Sequence, residues 1–251
     1  MTGTARPARR ELKRVYKLPM VVIPTNKPCI RQGLPTRVFA TLEAKWKAVA
    51  RSAKEMVAKG RAVLIGTPSV EASIGLSEIL RETGVTHRVL NAYRHAEESE
   101  IVAQAGQPGK VTVSTNMAGR GTDILLEDSV RQAGGLHVIA TEMHSSKRID
   151  RQLVGRAARQ GDPGGFQFFL SLEDELLRCL TPEKAASVRR SAFPDKYGEL
   201  SGGWLRFFRK TQRYLERLHY KQRRDMLKQD KHRSQQYRRM GLDPCLELTE
   251  N

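Results

Sequence analysis

Two short segments concentrate the residues that could do chemistry. In Gln152-Leu153-Val154-Gly155-Arg156-Ala157-Ala158-Arg159-Gln160-Gly161-Asp162-Pro163-Gly164, two arginines stand three residues apart. On a helix that spacing puts both on one face. A guanidinium pair so placed fits a polyphosphate bidentately and can stabilise charge developing on a transferring phosphoryl group. An isolated arginine pair can also be an ordinary surface ion pair, so the context has to decide. The second segment is Thr115-Asn116-Met117-Ala118-Gly119-Arg120-Gly121-Thr122-Asp123-Ile124. It directly follows a Val-rich run that reads as a strand, at the carboxyl edge where open parallel sheets bind ligands. Its glycines flank Arg120 and permit close backbone approach, while Thr122 and Asp123 can hydrogen-bond a ribose or relay a conformational change.

Other chemistries lack their residues. A phosphate loop needs GxxxxGK[ST], and the nearest approach, Gly106-Gln107-Pro108-Gly109-Lys110-Val111, is too short, loses an amide at the proline and ends in Val. It reads as a tight turn feeding a strand. Phe168-Phe169-Leu170-Ser171-Leu172-Glu173-Asp174-Glu175 imitates the apolar strand and Asp-Glu of a magnesium site, but acidic residues at a helix start explain it more simply. Cys29, Cys179 and Cys245 are odd in number and widely spaced, which leaves neither a disulfide framework nor a CxxC zinc site. His95, His137 and His144 have no ligand-spaced partners and read as core or surface residues, so no metal site is expected.

The elements that must position the two segments follow from hydropathy. Apolar runs rich in Val, Ile and Phe at Met20–Ile23, Ala62–Gly66, His87–Leu90, Val111–Ser114, Leu136–Ala140 and Phe166–Leu170 predict strands. Helical spacing predicts helices over Leu42–Ala58, Val70–Arg81, Glu97–Ala105 and Ser145–Arg159. Such alternation implies crossovers and a parallel sheet covered on both faces. Thr67-Pro68 suits a helix start, because proline at the first helical position gives up an amide that has no partner there. Thr181-Pro182 opens another short helix, Ser201-Gly202-Gly203 breaks the chain, and Trp204 to Met240 then runs without Pro or Gly as one long helix. Its narrow apolar stripe of Phe208, Leu215, Leu218, Met226 and Tyr237 requires a surface to lie on, either the sheet domain or another chain.

The charge sits at the ends. The 251 residues carry 44 Lys+Arg against 27 Asp+Glu, a net +17. Residues 1–17 hold six Lys/Arg against Glu11, and residues 206–239 hold thirteen against Glu216, Asp225 and Asp230. Such extensions attract polyanions, whether nucleic acid, anionic headgroups or an acidic protein face, and are also compatible with a plain solvated helix face. No apolar run approaches the roughly 18 residues of a membrane span, and residues 1–17 lack the apolar core of a secretory leader. A soluble, cytoplasmic chain is expected.

The two segments, with Gly66-Thr67-Pro68-Ser69-Val70-Glu71-Ala72-Ser73, Val89-Leu90-Asn91-Ala92 and Gly134-Gly135-Leu136-His137-Val138-Ile139-Ala140-Thr141-Glu142, resemble the second nucleotide-binding domain of SecA, the bacterial preprotein-translocase motor ATPase. The resemblance runs from about Val15 through Arg178 and takes in Val21-Val22-Ile23-Pro24-Thr25-Asn26, similar to the linker entering that domain, and Glu43-Ala44-Lys45-Trp46, similar to its first helix. More loosely, Arg213 to Leu242 resembles the start of a long scaffold helix.

The resemblance implies an α/β, RecA-like lobe of the P-loop NTPase type, comparable with the C-terminal lobe of superfamily-2 helicases: a parallel sheet with helices on both faces, followed by a long C-terminal helix. It divides the chain into a basic N-terminus and linker over 1–36, the RecA-like motor domain over 37–180, a connector over 181–202 and the scaffold-like helix and tail over 203–251. It implies half of an ATP site, in a fragment or split subunit. The P-loop, and Mg2+ with its carboxylates, belong to a first nucleotide-binding lobe supplied in trans. By matching positions Arg159 becomes the arginine finger, Arg156 its phosphate-side neighbour and Asp162 a nucleotide contact; Gly121 and Asp123 form a coupling motif, with Arg120 and Gln152 in the nucleotide-binding set. The implied partners are the first lobe, the translocon channel, preproteins and an anionic membrane surface at the cytoplasmic face. The sequence departs from the family pattern at Val154, at Ala157-Ala158, where a Ser-Gly pair is usual, and at Met143 and Ser145, which replace an Arg and a Glu. Two rival readings stay open: the RecA-like half of a nucleic-acid translocase, and an inactive remnant.

Overall fold

The computed structural model describes residues 4–90, 95–115 and 123–240. Seven strands form one parallel sheet: β1 (Gln32–Gly33), β2 (Arg37–Phe39), β3 (Val63–Thr67), β4 (His87–Leu90), β5 (Val111–Thr115), β6 (Leu136–Ala140) and β7 (Gly164–Ser171). Their order is β1-β7-β6-β3-β5-β4, and β2 continues the pairing of β1 along the same side of β7. Each pairing is parallel. α1 (Arg9–Tyr16) precedes the strands; between them run α2 (Leu42–Ala58), α3 (Val70–Glu82), α4 (His95–Gln104), α5 (Asp128–Gln132) and α6 (Lys147–Val154); α7 (Pro182–Arg190) and α8 (Trp204–Arg239) follow the last strand. The expected parallel sheet with helices on both faces and the long C-terminal helix are therefore present.

The central strands are apolar on both faces, and their alternation divides the core. Val63 and Ile65 of β3 join Val111, Val113 and Ile139 beneath α2 and α3. Leu64 joins Leu136, Val138 and Ala140 beneath α5 and α6. This is the two-sided burial that a parallel sheet with helices on both faces demands. Gly66 of β3 has a specific use here: a Cβ added to it would lie 2.4 Å from Leu153 of α6. The bare backbone of β3 is what lets α6 approach the sheet.

Three sequence expectations need correction. Met20–Ile23 forms no strand: it has no ladder partner among the described residues, with Val21 82% and Ile23 74% exposed. Hydropathy reports that a segment wants cover, not that a sheet edge lies beside it; β1 and β2 take the place along β7 instead. The α3 helix starts later than Thr67-Pro68 suggests. Thr67 remains in β3, and Ser69 is the cap, its Oγ accepting from the Ala72 amide at 3.2 Å. Finally, the helix over Ser145–Arg159 is only α6, Lys147–Val154, which leaves both arginines beyond its end.

The first turns of α8 belong to the core. Phe208 is fully buried and Leu215 nearly so, packed with Val38, Leu170, Leu172, Leu176 and Leu177. Leu218 and Met226 further along are exposed. The Asp-Glu run after β7 has the structural role expected of it: Asp174 is buried with Lys45, its Oδ1 2.5 Å from the ammonium, and its Oδ2 accepts from the Ser171 amide. Burial pushes the Asp174 carboxyl up to about 7 against the pull of Lys45. No helix among the described residues is long and apolar enough to cross a membrane.

His137 of β6 is fully buried, and neither ring nitrogen meets a hydrogen-bond partner among the described residues. Desolvation first, then the nearby Arg61 and Lys59 charges, depress its pKa from 6.5 to about 4. The folded chain thus keeps the ring neutral while the unfolded chain takes up a proton below pH 6.5. The stability this histidine contributes is complete above pH 6.5 and is lost as the pH falls towards 4. That loss amounts to about 3 kcal/mol. In chemical denaturation across this range, His137→Leu should gain that amount on the wild type between pH 6.5 and 4. Parallel curves for the two proteins would refute the assignment.

Candidate nucleotide-binding face

The arginine segment is built by the way α6 stops. Ser146 caps its start, accepting from the Arg148 amide at 3.3 Å, and the Gly155 amide closes its end on the Arg151 carbonyl. Arg31, from the segment before β1, donates to the Val154 and Ala157 carbonyls at 3.1 and 3.3 Å. A guanidinium at a helix C-terminus satisfies carbonyls that the helix leaves open. Beyond it the backbone turns left-handed at Ala158 (φ 55°), Gln160 (φ 53°) and Gly161 (φ 84°). This reversal carries Arg159 off the helix axis and returns the chain to β7.

Arg159 and Asp123, 36 positions apart in sequence and one from each of the two segments, meet. Arg159 Nη1 lies 2.9 Å from Asp123 Oδ1, and its Nε donates to the Gly155 carbonyl at 3.2 Å. Gln160 Nε2 donates to the second carboxylate oxygen at 2.8 Å, and the Ile124 amide donates to Oδ1 at 3.1 Å. The side chains of Arg159 and Asp123 are 39% and 35% exposed. At such exposure an ion pair adds no more than about 1 kcal/mol of stability, so its effect is to hold the arginine in place.

Both residues line a cavity of about 570 Å³ whose other wall is the linker Thr25–Cys29. Lys27 of that linker crosses Gly161 so closely that a Cβ there would stand 2.8 Å from its side chain. Cys29 is a free, exposed thiol in the same wall. A larger recess of about 870 Å³ lies between α3 and β4 at the sheet edge, but its lining includes neither the arginine segment nor Asp123. The bond it holds between Ser77 and His87, 2.6 Å, ties α3 to β4.

The remaining sequence-derived residues are dispersed around this centre. Arg156 lies in the turn after α6, half-buried, with its amide on the Leu153 carbonyl. Asp162 pairs with Arg131 of α5 at 3.3 Å. Gln152 Nε2 donates to the Thr4 hydroxyl at 3.3 Å. Arg120, Gly121 and Thr122 lie outside the described residues. Sequence reasoning missed Lys27 and Arg31, which lie more than a hundred positions from the segment they touch, and also the His144–Asp150 pair. There His144 Nδ1 stands 2.7 Å from Asp150 Oδ1. Among the described residues no group of three or more His, Cys, Asp or Glu could hold a metal ion.

Ala158 occupies a left-handed position that favours glycine. Ala158→Gly should therefore stabilise the fold by about 1 kcal/mol, read as a higher urea midpoint at unchanged slope. A lower midpoint would mean that the methyl group's packing outweighs the backbone strain.

Comparison with known proteins identifies the family. A family model described as the SecA P-loop domain matches residues 28–132 and 126–194. A protein of Rhodopirellula baltica named protein translocase subunit SecA 2 is 46% identical over 255 residues, covering 98% of this chain and 37% of that protein. Protein translocase subunit SecA of Halothermothrix orenii is 47% identical over 231 residues, covering 92% of this chain and 27% of its own length. That of Porphyromonas gingivalis W83 is 55% identical over 188 residues, covering 75% and 17%. The chain thus spans little more than a third of the length of these curated relatives, or less.

Proposed function

Because the chain belongs to the SecA family, we propose that it forms the arginine-bearing side of the ATP site in a motor that drives preproteins through a translocon at the cytoplasmic membrane face. The observation that carries this reading is the Asp123–Arg159 pair in the wall of the linker cavity. Residues of this kind fit one side of a nucleotide and not the whole of it. A guanidinium and a carboxylate can meet phosphate and ribose, whereas the 251 residues contain no GxxxxGK[ST] to wrap the phosphates. A P-loop lobe, on the same polypeptide or another, would hold the triphosphate and Mg2+.

In this reading Asp123 neutralises Arg159 until a nucleotide arrives. The triphosphate then competes for the guanidinium, and Arg159 stabilises charge on the transferring phosphoryl group. Arg156 supports the phosphate side, and Asp123, once released, accepts from the ribose. Gln152 and Asp162 exchange Thr4 and Arg131 for nucleotide contacts, while Arg120 and Gly121 complete the coupling motif. The exposed, basic far half of α8 faces the first lobe, the translocon or anionic lipid. A role for that half in nucleic-acid binding would instead appear as affinity for both DNA and RNA that falls steeply with salt.

Purified alone, the chain should hydrolyse no ATP measurably. Combined with a P-loop lobe from a SecA protein it should turn over ATP, and Arg159→Ala should lower that rate by roughly 10³-fold, the scale of an arginine finger. Robust turnover by the chain alone, or an unchanged rate in the variant, would overturn the reading.

A further inference from the structure

The long helix α8 is bonded to the start of the helix whose far end carries the arginine. On consecutive turns of α8, Gln212 and Glu216 both reach α6 and the loop before it. Gln212 Nε2 donates to Asp150 Oδ2 at 2.6 Å and to the His144 carbonyl at 2.8 Å. Glu216 Oε1 accepts from the Lys147 amide at 2.7 Å, placing a carboxylate on the first residue of α6. Asp150 is buried, and its other oxygen accepts from the His144 amide at 2.9 Å while lying 2.7 Å from the His144 ring. Gln212 is itself 3% exposed. A buried carboxylate surrounded by donors gives this junction one well-defined arrangement, because each lost bond would leave a buried group unpaired.

α6 is only eight residues long. Leu153 anchors it against Gly66, and the Gly155 carbonyl at its end accepts from Arg159 Nε. A continuous run of bonds therefore connects α8 to the Asp123–Arg159 pair through a single turn-capped rod.

We infer that α8 sets the position of Arg159 through α6, with Gln212 and Glu216 as positioning residues. A displacement of α8 along its exposed far half would then be felt at the arginine. The reverse also holds, since coupling between two sites is reciprocal. The functional meaning of this relay rests on the ATP-site reading above, but the relay itself is tested without nucleotide, so either can fail alone.

The experiment is NMR on the full 251-residue chain carrying Gln212→Leu or, separately, Glu216→Ala. The second residue is partly exposed, and its loss leaves the buried junction intact. Exchange with water is read at the α6 backbone amides, at the Arg159 Nε–H group and at the β3 and β5 amides. Each variant should raise exchange roughly tenfold at Lys147 and Arg148, and move the Arg159 Nε–H resonance while raising its exchange by a similar factor. The β3 and β5 amides should stay as they were. An effect confined to the start of α6, with Arg159 unchanged, would make α8 a local brace and overturn the inference. So would a uniform rise that includes β3 and β5 in Glu216→Ala, which would report loss of the fold and not motion of one helix.

Discussion

Leu153 lies on the bare backbone of Gly66, and the candidate site depends on that contact. It fixes how closely α6 approaches the central strand, and so where the reversal at Ala158 to Gly161 emerges and where Arg159 stands. A side chain at residue 66 would clash with the Leu153 side chain, so that Leu153 or α6 would have to give way. The Asp123–Arg159 pair itself adds little to stability. The fold supplies the precision, and the exposed pair uses it.

Much of this was legible in the sequence. The strands from Ala62 onward, α2, α7 and the 36-residue α8 follow from hydropathy period and from breaks and starts such as Ser201-Gly202-Gly203 and Thr181-Pro182. The arginine motif was legible too, but its conformation was not. Helical spacing at Arg156 and Arg159 suggested one helix face, whereas the structure places both after α6 ends. The competing signal was Gly155 with the Gly161-Asp162-Pro163-Gly164 run, which terminates a helix and turns the chain back. Contacts that depend on distant partners left no local trace. Arg31 on the end of α6, Lys27 over Gly161, and Gln212 on Asp150 join positions that only the folded sheet brings together.

The buried polar groups divide by what surrounds them. Lys45 and Asp174 satisfy one another and bridge α2 to the turn after β7, where removal of Asp174 leaves the buried Lys45 charge stranded at a cost of about 3–5 kcal/mol. Among the described residues His137 has no such partner, and burial leads in depressing its pKa, with the Arg61 and Lys59 charges adding to it. The two act oppositely on stability with pH. His137, depressed to about 4, weakens the fold as the medium acidifies. Asp174, raised to about 7, favours the fold most under acid and loses that contribution as pH climbs through 7.

The uncovered stretch Met20–Ile23 carries a hazard that its neighbours limit. Consecutive exposed Val and Ile side chains outside any ladder are the raw material of intermolecular strand stacking and fibril growth. Pro19 and Pro24 bracket the run and remove a backbone donor at each end. They restrict any ladder to four residues, below the six or so that such zippers need. Gatekeeping by proline thus lets an apolar segment stay open to water without becoming a template for aggregation.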